Sequence, residues 1–315
     1  MSYGSDLRDR IDRDEILALP GAHDPLTAGV ADHLGFEAVY MTGYGTSLSK
    51  TGYPDAGFIT MPEMIENAKN VQERVSVPVV ADCDNGFGNA TNVVRTVREY
   101  VKTGVAAIHI EDQTFPKRCG HVSGRQLIPT EEAVGKFRAA ADVRDERDEE
   151  FVLIARTDAR GAVDGSLDDA IDRANAYVQA GADVAFVEGP TDEAEVERIG
   201  EAVDAPLLYN CTGVSPFLSA DRLQELGFDL VIYPGLSTRA TIMALYERLS
   251  DLDARGTPAV TDLYDEFDEL PFDFHQFAGF SEVVDWEERY MPETETEKYE
   301  GTVGADVAGD AGDSD

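Results

Sequence analysis

The feature that most limits the fold is a repeated alternation. Eight short apolar runs, Ile16–Leu19, Ala38–Met41, Val77–Ala81, Ala107–Ile110, Phe151–Ala155, Val184–Val187, Pro206–Tyr209 and Leu230–Tyr233, are separated by segments with helical spacing. Among these are Met61–Arg74, Thr91–Lys102, Glu131–Val143, Leu167–Gln179, Glu193–Val203, Ala220–Leu226 and Thr238–Leu249. Short apolar runs suit buried strands, and strands that alternate with helices pair in parallel through right-handed crossovers. Eight such units predict an α/β fold, a closed (β/α)8 barrel. An open doubly wound sheet is the rival. Nearly every run, however, leads into a polar cluster: Gly21-Ala22-His23-Asp24, Thr42-Gly43-Tyr44, Asp82-Cys83-Asp84, Glu111-Asp112, Arg156-Thr157-Asp158, Glu188, Asn210-Cys211-Thr212, and Pro234 to Arg239. A barrel brings all of these to one C-terminal mouth.

At 315 residues and 43% hydrophobic content, the chain can build one large core. No apolar run nears the ~20 residues of a membrane helix. The opening MSYGSDLRDRIDRDE lacks the apolar stretch of a signal peptide, so a cytoplasmic location is expected. Three cysteines, Cys83, Cys119 and Cys211, are too few and odd in number for a disulfide framework. Acids outnumber Lys plus Arg by 62 to 26, a formal charge of −36, and they are spread along the chain. Such a surface repels nucleic acid and anionic membranes, so neither is expected as a partner. Its self-repulsion calls for salt, as in the cytosol of a halophile. Beyond the eighth unit, the aromatic-rich stretch 270–291 predicts extra C-terminal helices that bury apolar surface elsewhere, exchange between subunits being one route. Residues 1–291 then form one domain, followed by an acidic disordered tail at 292–315.

The densest chemistry lies in 107–129. The run Ala107–Ile110 passes at once into Glu111 and Asp112. Lys117-Arg118-Cys119-Gly120-His121 then sets a thiol among cations and an imidazole, in a segment too rich in Gly, Pro and polar residues for a buried strand or helix. Positive charge favours the thiolate, which makes Cys119 a candidate reactive group; an ordinary small apolar loop Cys is the plain alternative. Asp82 and Asp84, two residues apart at a strand end, share a face, with Cys83 turned away. Glu111 ends the next strand and offers a third oxygen, directly or through water. Hard oxygen donors with open positions suit Mg²⁺. The same acids would otherwise solvate strand ends in an acid-rich protein.

VVADCDNGFG (79–88), IHIEDQ (108–113), KRCGH (117–121), ARTDA (155–159) and YNCT (209–212) resemble, in order and spacing, the isocitrate lyase and phosphoenolpyruvate mutase superfamily from about residue 10 to 290. KRCGH resembles the catalytic loop of its lyase branch, the isocitrate and 2-methylisocitrate lyases. Mutases, phosphonopyruvate hydrolases and oxaloacetate decarboxylases generally lack that cysteine. The resemblance implies a retro-aldol cleavage of a tricarboxylate to succinate plus glyoxylate or pyruvate, dependent on Mg²⁺ with Mn²⁺ as a substitute, in a homo-oligomer, a tetramer. It makes Cys119 the acid that protonates the succinate carbon, with His121 and Lys117 tuning the thiol. Arg156 becomes the clamp on the glyoxylate-side carboxylate, a surface pair with Asp158 being its plain reading. Tyr40 matches a tyrosine near the reacting hydroxyl, or is simply core. Asp55 matches a loop acid near a metal held by Asp82, Asp84 and Glu111, or is a turn residue. Thr42, Gly43 and Tyr44 match a loop that offers backbone N–H groups to a carboxylate, with Thr42 in place of the family's serine. Glu188, Asn210, Thr212 and Arg239 match positions that hold the succinyl half, and Gly120 is a further substrate contact in the thiol's loop.

Between the two tricarboxylates the residues point both ways. Phe186, Pro234 and the short chain resemble the methyl-accommodating 2-methylisocitrate lyases. LIPT (127–130), Asn210-Cys211 and the bulk of Tyr44 point to isocitrate, the preferred reading. A superfamily sibling acting on oxaloacetate or a phosphonate, and a metabolite-binding protein without catalysis, are the other readings.

Overall fold

The computed structural model describes residues 2–292, so all of the tail expected to be disordered except Pro292 lies outside the described residues. In chain order the elements are α1 (Tyr3–Ile11), β1 (Leu17–Ala22), α2 (Pro25–His33), β2 (Val39–Met41), α3 (Gly43–Thr51), α4 (Met61–Arg74), β3 (Val79–Asp82), α5 (Ala90–Val101), β4 (Ala107–Glu111), α6 (Thr130–Arg147) and β5 (Val152–Thr157). They continue with α7 (Leu167–Gln179), β6 (Val184–Val187), α8 (Glu193–Ala202), β7 (Leu208–Asn210), α9 (Ala220–Glu225), β8 (Leu230–Tyr233), α10 (Leu236–Arg255), α11 (Thr257–Phe267), α12 (Phe274–Ala278) and α13 (Phe280–Tyr290).

All eight strands pair in parallel, in the order β6-β5-β4-β3-β2-β1-β8-β7. An isolated bridge between Ala185 and Leu207 joins the two ends, so the sheet is a nearly closed barrel, as the alternation predicts. Strand periodicity then sorts the side chains. Val80, Ala107, Val152, Ile154, Val184, Leu208, Leu230 and Ile232 form one buried cluster. Their neighbours Ala81, Ile108, Leu153, Ala185 and Val231 belong to the other clusters, packed with helix residues. Leu7 and Ile11 of α1 join the first cluster, and Arg8 donates to the carbonyls of Glu150 and Phe151 just before β5. This helix, which the apolar runs do not announce, therefore caps the barrel's N-terminal end.

The strands outrun the apolar runs. β1 reaches Ala22, β3 Asp82, β4 Glu111, β5 Thr157 and β7 Asn210. Backbone pairing continues where inward positions meet the pocket, so polar side chains there still sit on rigid strands. Thr42-Gly43-Tyr44 is not a loop but the start of α3, with the Thr42 hydroxyl accepting from the Gly45 N–H.

The chain divides into two compact units, one up to Ile242 and one from Met243 on. In the second, Arg248 forks onto Glu266 at 3.1 and 2.6 Å, and Phe267 packs edge-on against Phe272 and Phe274. Helices α12 and α13 bury no residue, and Leu245, Tyr246, Leu249, Tyr264, Trp286 and Tyr290 are exposed. The extra C-terminal helices are present, with much of their apolar surface uncovered.

Candidate active site

A cavity of about 430 Å³ opens at the mouth of the barrel. Tyr40, Thr42, Tyr44, Asp55, Asp82, Cys119, Gly120, His121, Arg156, Asn210, Thr212 and Arg239 all line it. Of the residues expected at the site, Gly43, Asp84, Glu111, Lys117 and Glu188 stand behind that lining.

Gly43 has a different task from the expected one. Its N–H donates to Asp82 Oδ2 at 3.1 Å, and a Cβ there would strike the same oxygen, so the start of α3 locks the Asp82 carboxylate rather than waiting for a substrate. Asp82 Oδ1 accepts from the Asp84 N–H at 2.8 Å. That contact needs Asp84 in the left-handed region, φ 48°, a conformation Asp tolerates better than most residues. Cys83 points into the core, as expected from strand alternation.

These acids carry opposite electrostatic histories. Burial works to raise the Asp82 carboxyl, but His109 when charged, Lys117 and Arg156 outweigh it and hold it at about 2. Burial, with Asp82 and Asp55 nearby, pushes Asp84 up to about 7 despite Lys117. Burial also raises Glu111 well above the usual carboxyl range, and neither of its oxygens has a hydrogen-bond partner among the described residues. Lys117 Nζ lies 2.8 Å from Asp55 Oδ1 and 2.5 Å from Asp84 Oδ1, within hydrogen-bonding reach of both. The expectation that Lys117 tunes the thiol is thereby corrected. Its ammonium sits among carboxylates, which raise its pKa against the effect of burial.

Four carboxylates around one cation fit a further cation chemically. Glu111 offers two unpartnered oxygens, and Asp55, Asp82 and Asp84 offer hard donors beside the open cavity. Among the described residues no three such groups already stand in a coordination set. An ion such as Mg²⁺, which takes one or two carboxylates and fills its remaining positions with water and substrate, is the kind these donors would suit.

The opposite wall is hydrogen-bonded. Arg156 is buried and grips Asp158 as a fork, Nε to Oδ2 at 3.0 Å and Nη2 to Oδ1 at 3.1 Å. The pairing with Asp158 is real, but it lies inside the mouth rather than on the surface. Glu111 and Glu188 approach the same guanidinium at 3.6 and 3.8 Å. Phe186 lies beneath it, 5.1 Å from ring centroid to Cζ, and does not reach the cavity, so its expected part in a methyl pocket is not seen; Pro234 does line the cavity. Glu188 accepts from Asn210 Nδ2 at 2.9 Å and pairs with His121 Nε2 at 3.3 Å, while Thr212 Oγ1 lies 3.0 Å from that nitrogen. Burial would raise Glu188, but Arg156 and the His121 contacts hold it at about 2. Burial would lower His121, but the Cys119 thiol and Glu188 raise it to about 9.

Cys119 sits on a braced loop between β4 and α6. Its N–H donates to Asp55 O at 3.1 Å, and Gln113 clamps Arg118 with bonds to both its N–H and its carbonyl. A Cβ on Gly120 would strike Arg156 Nη2, so only glycine lets this loop close on the guanidinium.

His109 was missed among the apolar residues of its run, although it shares an inward face with Glu111. Its Nε2 lies 2.8 Å from the Tyr40 hydroxyl, and burial drives its pKa down to about 4. Tyr40 Oη is also 3.4 Å from Asp82 Oδ2, and burial followed by Asp82 keeps this phenol protonated.

The phosphoenolpyruvate phosphomutase family model matches residues 7–252. The chain belongs to that family. Within this superfamily, which also holds the isocitrate lyases, the chain is 43% identical to the 2,3-dimethylmalate lyase of Eubacterium barkeri, over 92% of this chain and 99% of that one. It is 36% identical to the isocitrate lyase of Haloferax volcanii, over 91% and 87%. A phosphonopyruvate hydrolase in complex with oxalate and Mg²⁺ superposes with a TM-score of 0.82 at 30% identity, covering 93% of this chain and all of that one. Superfamily membership makes the chain a lyase or mutase type of enzyme, and the barrel is the superfamily's.

Proposed function

We propose that the chain is a Mg²⁺-dependent carbon–carbon lyase that cleaves isocitrate to succinate and glyoxylate. The observation that carries the reading is Cys119 in the cavity wall, with His121 on one side of the loop and Arg156 closing on Gly120 from the other. Asp82, Asp84 and Glu111, with Asp55 at the edge, would hold the ion, whose chemistry there is to polarise the hydroxy-carboxylate.

The chain's own groups do the rest. Arg156 has both Nε and Nη2 committed to Asp158, which leaves Nη1 without a hydrogen-bond partner among the described residues and available to the carboxylate beside the hydroxyl. Tyr40 Oη takes the hydroxyl proton as it passes its own to His109 Nε2, an imidazole kept neutral by burial and so free to accept it. As the bond between the carbinol carbon and its neighbour breaks, the electron pair moves into the adjoining carboxylate. Cys119 Sγ–H then returns a proton to that carbon. Asn210, Thr212 and a charged His121 receive the far carboxylate, with Arg239 at the rim for the third.

A second reading has its own support. Leu48, Val122, Pro234 and Ile242 also line the cavity, which suits methyl groups in place of a carboxymethyl arm, as in 2,3-dimethylmalate. One apolar methyl is worth only about 1–3 kcal/mol, so the site would discriminate modestly, 2-methylisocitrate included. Product analysis separates the readings: succinate with glyoxylate for isocitrate, succinate with pyruvate for 2-methylisocitrate, propionate with pyruvate for 2,3-dimethylmalate. A tenfold or greater kcat/KM preference for either methylated acid would overturn isocitrate. Turnover confined to oxaloacetate or a phosphonate would overturn the lyase reading itself. The exposed apolar faces from Met243 on suit burial against a second copy in a homo-oligomer.

A further inference from the structure

Building on the lyase reading of this cavity, we propose that Arg125 is a positioning residue that ties the Cys119 loop to the carboxylate clamp Arg156 through a shared Asp158. Arg125 lies on the return limb of the loop, outside every motif described above, yet its side chain is buried. Its Nη1 donates to Asp158 Oδ1 at 3.0 Å and also to the carbonyl of Gly120. The same Asp158 oxygen accepts from Arg156 Nη2 at 3.1 Å. One carboxylate therefore joins the guanidinium that meets substrate to the guanidinium that holds the residue next to the thiol.

Both ends of this link are fixed from the core. The Asp158 N–H donates to Asp112 Oδ1 at 3.0 Å, and Asp112 Oδ2 accepts from Thr157 Oγ1 at 2.7 Å and Tyr177 Oη at 2.8 Å. The Arg125 carbonyl accepts from the Val163 N–H at 2.9 Å, and a Cβ on Gly161 would strike Arg125 Nη2. The guanidinium is thus boxed in by the segment after β5, with Gly120 as its grip on the loop. Gly120 in turn has no room for a Cβ against Arg156. A shift of Arg156 as it takes a carboxylate reaches the thiol's loop by two routes, one through contact at Gly120 and one through Asp158 and Arg125.

The test compares Arg125→Met, which keeps length and loses the fork, with Arg125→Lys, which keeps the charge and fewer donors. Two readouts are followed: the kcat and KM split, and the rate at which iodoacetamide labels Cys119, read by peptide mass spectrometry with and without oxalate and MgCl₂. Buried Cys83 serves as the internal reference for global opening. In Arg125→Met, kcat should fall roughly 100-fold with KM within about threefold, the pattern of a misplaced reacting group. Cys119 labelling should quicken at least about fivefold and lose its protection by oxalate, while Cys83 stays unlabelled; Arg125→Lys should fall between this and wild type. Wild-type labelling and protection in both variants overturns the proposal. So does Cys83 labelling that rises in step with Cys119, the mark of a purely structural arginine. If Arg125→Met does not fold, the labelling of Arg125→Lys decides alone. Labelling needs no substrate, so it still decides the link if wild type cleaves none of the acids, an outcome that counts against the lyase reading only.

Discussion

On the β2 to β4 wall, Asp55, Asp82, Asp84 and Glu111 crowd around the ammonium of Lys117, whereas on the β5 to β7 wall Asp158 and Glu188 meet Arg125, Arg156 and His121. Among the described residues the first wall leaves both oxygens of Glu111 without a hydrogen bond, and burial drives Asp84 and Glu111 upward. On the second, both oxygens of Asp158 and one of Glu188 accept directed bonds, and Glu188 is held down at about 2. A buried acid excess is costly unless a cation arrives, while a paired, bonded wall holds its geometry unaided. One wall is built to receive charge and the other to place atoms.

The sharpest way to break this comparison is at the thiol between the walls. Cys119→Ser should lower kcat about 10³-fold with folding intact, since a hydroxyl is a far weaker acid than a thiol. Turnover near wild type would remove Cys119 from the proton step.

Next comes the acid-rich wall. MgCl₂ at about 100 times its Kd should stabilise wild type by about 2.7 kcal/mol, read as a rise in Tm. Asp82→Asn combined with Asp84→Asn should abolish that rise, because it removes two of the carboxylates that would hold the ion. A double variant that still gains stability from MgCl₂ would move the metal elsewhere.

The walls should also answer pH in different windows. His121 rises from 6.5 unfolded to about 9 folded, so its stabilisation is complete below pH 6.5 and is lost as pH climbs to 9. Its ceiling is roughly 3 kcal/mol, reduced by partial exposure. Asp84, raised from 3.8 to about 7, loses stability in the same direction but between those lower values. Glu188, lowered from 4.5 to about 2, works the other way and loses its share only as pH falls through that range. Melting curves of His121→Asn should be flat from pH 7 to 9 where wild type declines; equal slopes would refute the assignment. MgCl₂ should flatten the Asp84 window and leave the His121 window alone.

Much of this was legible in the chain, for physical reasons. Strand runs and period-two alternation are local signals, so the barrel and the inward aim of Asp82 could be read directly. The start of α3 was not, because Gly43-Tyr44-Gly45 has poor helix propensity and is held by the Thr42 cap and by Asp82, 39 residues away. Lys117 was misplaced because its partners depend on the path of the loop rather than on its neighbours in KRCGH. Arg125 carried no signal at all, since Asp158 lies 33 residues further on. Phe186 read as pocket wall because its inward phase was right, but no spacing rule shows that Arg156 would cover it.

The smallest expected effect separates the surface from both walls. Charges on the outside, such as Glu37 facing Arg10 and Arg13, lie in water where salt screens them over about 8–10 Å, and the chain's net −36 makes repulsion their sum. Raising NaCl should relieve that repulsion and lift Tm by about 1–2 °C, the shift expected of roughly 1 kcal/mol in a chain of this size. Glu188 is buried and its partner His121 only partly exposed, so their pair is screened less and the decline from pH 6.5 to 9 should keep most of its slope at high salt. A Tm indifferent to NaCl would show that the surface acids do not strain the fold. A pH slope that vanishes with NaCl would show that the second wall is wetter than its hydrogen bonds imply, and the contrast between the walls would shrink accordingly.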